Sequence, residues 1–145
     1  MRKNKYVVHR VAVVGSGTMG AGIAALLAGA GFPVLLLDVV PSELTDKERA
    51  LGLSLQDSVV RNRIVSDNLL KSHNAFYAKQ DIELITIGNL EDDFEQLTSV
   101  DWVVEAIVEN IDIKKKLFSD LGNICKENTI LASNTSSIPI GILAK

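Results

Sequence analysis

The most constraining feature of this 145-residue chain is a run over residues 11–37 that contains no charged side chain but holds six glycines and Pro33. The hydrophobic pattern changes period within this run. Residues 11–14 are a short continuous apolar stretch, residues 21–30 have helical spacing, and residues 34–37 are a second apolar stretch. A strand, a glycine turn, a helix and a second strand explain the missing charges, because strands of a parallel sheet are buried on both faces.

The same run also has the profile of a secretory signal or a membrane span, because basic residues precede it. Its glycines and its changes of period argue against both, so we expect neither an export signal nor a membrane span. The single cysteine, Cys125, leaves no disulfide within the chain, and we therefore expect a cytoplasmic protein. One cysteine and two histidines do not predict a metal site. The net charge of −3 argues against a nucleic-acid partner.

Strands and helices alternate along the rest of the chain. The predicted strands are residues 8–14, 33–38, 82–87, 102–108 and 129–133. The predicted helices are residues 18–30, 42–51, 91–98 and 110–126, a largely helical insertion over 53–80, and a last helix starting near 138. This alternation predicts an α/β fold, namely a Rossmann-type doubly wound parallel sheet with helices on both faces and a helical insertion after the second strand.

Charge is distributed unevenly along the second half of the chain. Residues 81–109 carry nine acidic side chains and no basic one, which is typical of a solvated face. The insertion, in contrast, carries Arg61, Arg63, Lys71 and Lys79. This modest basic patch either meets a phosphorylated ligand or is an ordinary exposed helix surface.

The turn after the first predicted strand reads Gly-Ser-Gly-Thr-Met-Gly over residues 15–20. In this position a G-x-G-x-x-G sequence indicates a dinucleotide site, because a strand precedes it and a helix runs through it. Gly15 permits the tight turn, and Gly17 lacks the Cβ that would keep a pyrophosphate away from the backbone. Gly20 lets the helix pack closely on the sheet.

The first helical turn and the end of the second strand supply the other two parts of such a site. At Thr18 and Met19 we expect free N–H groups and the positive end of the helix dipole to hold a diphosphate. Asp38 lies 23 residues after Gly15, near the expected spacing of about 20. Its carboxylate can accept hydrogen bonds from ribose hydroxyls and would repel a 2′-phosphate, so NAD is favoured over NADP. FAD, S-adenosylmethionine and glycines that serve packing alone remain alternatives.

Two later stretches carry a family resemblance. Residues 101–110 read Asp-Trp-Val-Val-Glu-Ala-Ile-Val-Glu-Asn, and residues 132–137 read Ala-Ser-Asn-Thr-Ser-Ser. Together with Gly-Ser-Gly-Thr-Met-Gly-Ala-Gly-Ile-Ala over residues 15–24, they resemble the 3-hydroxyacyl-CoA dehydrogenases of fatty-acid β-oxidation. The resemblance begins near residue 9, and the stretch 40–98 looks most like the long bacterial members, which also carry an enoyl-CoA hydratase-like region.

The resemblance implies an NAD-dependent oxidation of L-3-hydroxyacyl-CoA to 3-ketoacyl-CoA. It implies that Ser136 is a catalytic residue that orients the nicotinamide and the substrate hydroxyl. It also implies cofactor contacts after the fourth and fifth strands from Ala106, Ile107, Glu109, Lys114, Asn134 and Ser136. Without the resemblance, Glu109 could be an ordinary acid in a first helical turn and Lys114 one solvated lysine among three. We interpret Glu105 as structural, or at most as an acid at the edge of the groove.

The resemblance further implies a catalytic histidine, oriented by a glutamate, in a strand-end motif that this sequence does not contain. His9 precedes the first predicted strand and His73 lies in the insertion, so neither matches that motif. We therefore expect residues 1–145 to be an NAD-binding domain truncated from a longer protein and inactive alone. The helical C-terminal domain for acyl-CoA binding and homodimerisation would be absent. A stand-alone dinucleotide-binding or redox-sensing module, or a different nucleotide enzyme, is the alternative.

Overall fold

The computed structural model describes residues 7–75 and 79–144. Within them, five strands are formed: β1 Val11–Val14, β2 Val34–Asp38, β3 Ile85–Asn89, β4 Trp102–Glu105 and β5 Ile130–Ser133. They make one parallel sheet in the order β3-β2-β1-β4-β5. This order confirms the predicted Rossmann-type α/β sheet.

Helices connect the strands. The α-helices of the described residues are α1 Thr18–Gly29, α2 Asp46–Ala50, α3 Ser58–Arg61, α4 Arg63–Lys71, α5 Ile111–Ile124 and α6 Ile140–Leu143. The same described residues form three 3-10 helices, at His73–Ala75, Lys79–Leu84 and Phe94–Ser99. Across the described ranges, no helix has the length and apolar character that a membrane crossing requires.

Side chains of the central strands alternate between two hydrophobic cores, because successive residues of a strand point to opposite faces. Val11 and Val13 belong to the core that α1 and α4 cover, whereas Ala12 and Val14 belong to the core that α5 covers. The α-helical residues buried in these cores are Ala24, Leu27, Ala28, Val65, Leu69, Leu117 and Leu121, and Leu97 of the 3-10 helix Phe94–Ser99 joins the second core. Helices therefore lie on both faces of the sheet, and both faces of β1 and of residues 34–37 of β2 are buried and apolar.

The insertion after β2 is more broken than the expected helix over residues 53–80. It forms α3, α4 and short 3-10 helices, while residues 76–78 lie outside the described ranges. The preceding helix, α2, begins at Asp46 rather than near residue 42, because Thr45 caps it. The Thr45 hydroxyl accepts a hydrogen bond from the Glu48 N–H at 3.2 Å, and the Glu48 carboxylate accepts one from the Thr45 N–H at 2.7 Å.

Three strands and one helix also differ from their predicted bounds. β1 begins at Val11 rather than at residue 8, because the N–H groups of His9 and Arg10 donate to the Asp101 carboxylate at 2.8 and 3.1 Å instead of to a neighbouring strand. β3 begins at Ile85 rather than at residue 82, because the 3-10 helix Lys79–Leu84 precedes it. The expected helix over residues 91–98 is the 3-10 helix Phe94–Ser99. β4 ends at Glu105 rather than at residue 108, because the Ile107 N–H donates to the Glu105 carboxylate at 2.8 Å instead of to a neighbouring strand.

The arginines of the insertion take part in ion pairs rather than in an open basic patch. Arg61 pairs with Glu91 at 2.7 Å and with Asp92 at 2.6 Å. Arg63 pairs with Glu48 of α2. These contacts tie α3 and α4 to the turn after β3 and to α2, so part of the acidic run serves as their counter-charge.

Candidate cofactor site

The loop that joins β1 to α1 has the backbone geometry that a G-x-G-x-x-G motif requires. Gly15 has a φ of 98°, which favours glycine, and a Cβ there would lie 2.5 Å from the Ala106 carbonyl oxygen. A Cβ on Gly20 would collide with the Gly15 carbonyl. A Cβ on Gly17, in contrast, would meet no protein atom within 4 Å. The first and third glycines are therefore needed for packing, and the second leaves space for a ligand to approach the backbone.

The start of α1 leaves its first turn free for an anion. Gly17 is the N-cap residue, and no side chain of the described residues caps this helix. The first turn contains no acidic residue, and Thr18 and Met19 are exposed. The first N–H groups of a helix have no partner within the helix and form the positive end of its dipole. This turn can therefore hold a diphosphate.

A groove opens beside this turn, where the strand order reverses. The chain leaves β1 for α1 on one face and leaves β4 for α5 on the other, so the two loops diverge at the carboxyl ends of the strands. The cavity between them has a volume of about 620 Å³. Five of the predicted cofactor residues line it: Gly15, Gly17, Asp38, Ala106 and Ile107. The apolar side chains of Ile64, Phe94 and Leu117 form part of its wall.

Asp38 ends β2 at the edge of the groove, and three donors hold its carboxylate. The Ser16 N–H donates to Oδ2 at 2.6 Å, and the Ser16 hydroxyl donates to the same oxygen. The Val39 N–H donates to Oδ1 at 2.7 Å. A carboxylate has about four acceptor positions, so Oδ1 keeps one for a ligand hydroxyl. Ser16 itself is 1% exposed, which makes it a support for Asp38 rather than a surface residue.

Glu109 follows the groove-lining Val108 and is joined to the loop after β5. The Ser137 hydroxyl donates to Oε1 at 2.8 Å, and the Thr135 hydroxyl donates to the same atom. The Lys114 Nζ lies 3.0 Å from Oε2. The hydrogen bond from Thr135, followed by those from Ser137 and Lys114, lowers the pKa of Glu109 to about 2. Glu109 is therefore a fixed anion at neutral pH.

Lys114 is a buried cation rather than a solvated lysine. Its side chain is 1% exposed and that of Glu105 is 0% exposed, and Nζ donates to the two Glu105 carboxylate oxygens at 2.8 and 3.0 Å. The Ser133 hydroxyl and the Ile107 N–H also donate to Glu105. Burial acts to lower the pKa of Lys114, but the hydrogen bonds to Glu105 and Glu109 outweigh burial and raise that pKa. Lys114 thus stays protonated and links the two glutamates.

The last two predicted residues, Asn134 and Ser136, are exposed in the loop after β5. The Asn134 N–H donates to the Glu105 carbonyl at 2.7 Å, which ties the loop to the end of β4. The neighbours of Ser136, and not Ser136 itself, bond to Glu109. The structure therefore brings this loop against Glu109 while the Asn134 and Ser136 side chains stay on the surface.

Polar residues that make hydrogen bonds in the site but were not predicted from the sequence include Ser16, Asn68, Thr135 and Ser137. The apolar wall residues Ile64, Phe94 and Leu117 were not predicted either. Thr135 and Ser137 flank Ser136, so the run of hydroxyl residues is the signal that points to them. Ser16 lies inside the glycine motif. Asn68 lines the groove and donates to the Ser16 hydroxyl oxygen at 3.0 Å. No pattern in the sequence distinguishes Asn68 from the other polar residues of α4.

Known proteins of similar sequence cover nearly the whole chain. A family profile described as "3-hydroxyacyl-CoA dehydrogenase, NAD binding domain" matches residues 10–145. A probable 3-hydroxyacyl-CoA dehydrogenase of Bacillus subtilis (strain 168) is 44% identical over 142 residues, which are 95% of this chain and 18% of that protein. The mitochondrial hydroxyacyl-coenzyme A dehydrogenase of Homo sapiens is 39% identical over 140 residues, 97% of this chain and 43% of that protein.

A solved structure shares the fold as well. The crystal structure of 3-hydroxybutyryl-CoA dehydrogenase from Escherichia coli K12 has a TM-score of 0.64 and 34% sequence identity, and the match covers 94% of this chain and 26% of that chain. The chain thus spans less than half the length of each of these three proteins. Since the profile match extends from residue 10 to residue 145, the chain belongs to the family of NAD-binding domains of 3-hydroxyacyl-CoA dehydrogenases.

Proposed function

We propose that the chain is the NAD-binding domain of an enzyme that oxidises L-3-hydroxyacyl-CoA to 3-ketoacyl-CoA in fatty-acid β-oxidation. One observation carries this proposal: the open space at Gly17, the uncapped start of α1 and the Asp38 carboxylate share one groove. A dinucleotide needs an anion site and a ribose acceptor side by side at the carboxyl ends of parallel strands. The family profile supports NAD as that dinucleotide.

We assign the adenosine diphosphate half of NAD to the groove. The first-turn N–H groups at Thr18 and Met19 would hold the pyrophosphate, and Ala106 and Ile107 would line the opposite side. The acceptor position that remains on Asp38 suits a ribose hydroxyl. The negative charge of Asp38 would repel a 2′-phosphate, which favours NAD over NADP.

We assign the nicotinamide half to the region of Glu109 and the loop after β5. NAD, when bound, supplies the hydride acceptor for the oxidation. Ser136 and Asn134 carry neutral donors and acceptors, which can orient a substrate hydroxyl without opposing the nicotinamide charge. Glu109 would accept a hydrogen bond from a ribose hydroxyl of this half. Lys114 would act on the cofactor indirectly, because it is buried beneath Glu109 and holds its carboxylate.

The complete active site requires residues outside this chain. Neither His9 nor His73 lines the groove, and the chain spans only 18% and 43% of the B. subtilis and human relatives. We propose that the catalytic histidine belongs to the rest of a longer protein. The same holds for a helical domain that completes the acyl-CoA site and forms a homodimer. The single cysteine supports a cytoplasmic location, and the net charge of −3 argues against a nucleic-acid partner.

Isothermal titration calorimetry with NAD and with NADP tests this function on the chain as it stands. We expect saturable binding of NAD and weaker binding of NADP. Mixing the chain with NAD and an L-3-hydroxyacyl-CoA should give no increase in NADH absorbance, because the catalytic histidine is missing. Equal affinity for the two cofactors, or no binding of either at millimolar concentration, would contradict the proposal.

A further inference from the structure

A residue of the insertion reaches the glycine loop. Asn68 lies on α4, 52 residues after Ser16, and its Nδ2 donates to the Ser16 hydroxyl oxygen at 3.0 Å. Asn68 is partly buried and lines the groove together with Gly17 and Asp38. The insertion is thus more than a cover for one face of the sheet, because it contributes a side chain to the wall of the cofactor groove.

The contact has a defined hydrogen-bond direction. Since the Ser16 oxygen accepts from the Asn68 amide, the Ser16 hydroxyl hydrogen is directed to Asp38 Oδ2. The Ser16 N–H donates to the same oxygen at 2.6 Å, and the Val39 N–H donates to Oδ1 at 2.7 Å. The two hydrogen bonds from Ser16 fill the acceptor positions of Oδ2, so the free acceptor position of the carboxylate lies on Oδ1. Asn68 thus sets the direction of the Ser16 hydroxyl, which fills Oδ2 together with the Ser16 N–H.

The backbone position of Asn68 is fixed by its own helix. Val65 is 1% exposed and Leu69 is 8% exposed, and both are buried in the core under α1 and β2. Val65, three residues before Asn68, and Leu69, directly after it, thus anchor α4 to the sheet. Because Asn68 is already held in place before a ligand binds, little conformational entropy of its side chain is lost when it orients Ser16 in the complex.

We propose that Asn68 is a specificity-determining residue for the cofactor, because it holds Asp38 through Ser16 in the orientation that accepts an unmodified adenosine ribose. This inference rests on the proposed function, in which Asp38 meets that ribose. It assigns to the insertion a share in the choice between NAD and NADP.

A double-mutant cycle tests the proposal by titration of NAD and NADP into the wild type, Asn68→Ala, Asp38→Ala and the double variant. One net hydrogen bond corresponds to about a three- to tenfold change in affinity. We expect Asn68→Ala to weaken NAD by about this factor and to weaken NADP less. In the Asp38→Ala background, Asn68→Ala should cause no further change in NAD affinity, because the Ser16 hydroxyl that Asn68 orients then has no carboxylate to bind.

Asp67→Ala is the matched control, since Asp67 is an exposed neighbour on the same helix. It should leave both affinities unchanged. The proposal is overturned if Asn68→Ala behaves like Asp67→Ala. It is equally overturned if Asn68→Ala causes the same loss of NAD affinity with and without Asp38.

A cofactor-free measurement separates this inference from the proposed function. In a 15N-labelled sample without NAD, Ser16→Ala should shift the side-chain amide resonances of Asn68. If the wild type binds NAD but these resonances do not move, the role of Asn68 is refuted and the proposed function stands. If the wild type binds no NAD, the proposed function fails and this proposal fails with it, even where the resonances move.

Discussion

Lys114 and Glu105 form a buried ion pair, and removing one of the two side chains would leave the charge of the other buried without its partner. Removing the ammonium would leave a carboxylate that is 0% exposed without its main partner. Breaking a buried pair in this way costs about 3–5 kcal/mol. We expect Lys114→Met to lower the free energy of unfolding by about that amount in urea denaturation. Lys115→Met is the control, since Lys115 is exposed on the same helix, and equal stability of the two variants would contradict the pairing.

Glu109 makes the stability of the protein depend on pH, and the direction of its pKa shift sets the sign of that dependence. Its pKa lies at about 2, below the ordinary value of 4.5, chiefly because Thr135, Ser137 and Lys114 bind its ionised form. Its contribution to stability is therefore complete above about pH 4.5 and is lost as the pH falls towards 2. The stability difference between the wild type and Glu109→Gln should shrink over this interval. NMR titration of the carboxyl carbon checks the pKa directly, and a midpoint near 4.5 would refute the contacts described.

At Asp38, the ribose acceptor and the repulsion of a 2′-phosphate depend on the same carboxylate. We expect Asp38→Ala to weaken NAD by about tenfold or more, as for the loss of a hydrogen bond to a charged group, and to weaken NADP less. Calorimetric titration of both cofactors gives the ratio of the NAD affinity to the NADP affinity. Asp46→Ala, a substitution of an exposed acid on α2, should leave this ratio unchanged. An unchanged ratio in Asp38→Ala would remove Asp38 from the site.

The three consecutive lysines of α5 show where residue-scale prediction ends. Lys115 and Lys116 are exposed, while Lys114 is buried. Composition does not distinguish them, because a lysine enters the interior only when a partner on another element neutralises it. That partner, Glu105, lies on β4, and only the packing of α5 on the sheet brings the two together.

At the scale of the elements, the start of α1 separates the roles of two glycines. A Cβ on Gly17 meets no protein atom within 4 Å, whereas a Cβ on Gly20 collides with the Gly15 carbonyl. We expect Gly17→Ala to change stability by no more than about 1 kcal/mol but to weaken NAD about tenfold, equivalent to ~1.4 kcal/mol. Gly20→Ala should instead cost about 1–3 kcal/mol of stability through overpacking. Thermal denaturation and titration of both variants check this, and unchanged NAD affinity in Gly17→Ala would contradict the anion site.

The elements of the charge-free run were predictable, and those of the insertion were not. β1, α1 and β2 are set by local signals, namely apolar strands, glycine turns and the Gly31 bend with a φ of 87°. The insertion has a ragged apolar pattern, and its pieces end at side-chain contacts such as the Thr45 cap and the Arg61 ion pairs. These contacts depend on partners that are distant in the sequence, so periodicity alone does not reveal the breaks.

For the whole molecule, the strand order determines where the site lies. Parallel strands joined by right-handed crossovers leave few arrangements. The alternating strands and helices predicted a doubly wound parallel sheet, but not the strand order itself. The hydrogen bond between Asn68 and Ser16 was not predictable either, because it joins residues 52 positions apart and depends on how the insertion packs on α1 and β2. Local motifs thus predict the cofactor loop, and tertiary packing supplies the residues that orient it.

A crystal structure of the chain with NAD tests the central claim most directly. We expect the pyrophosphate over the turn from Gly15 to Gly20, at the start of α1, with the adenosine ribose within hydrogen-bond distance of Asp38 Oδ1. Adenosine bound anywhere else on the chain, or a pyrophosphate away from that turn, would contradict the site described.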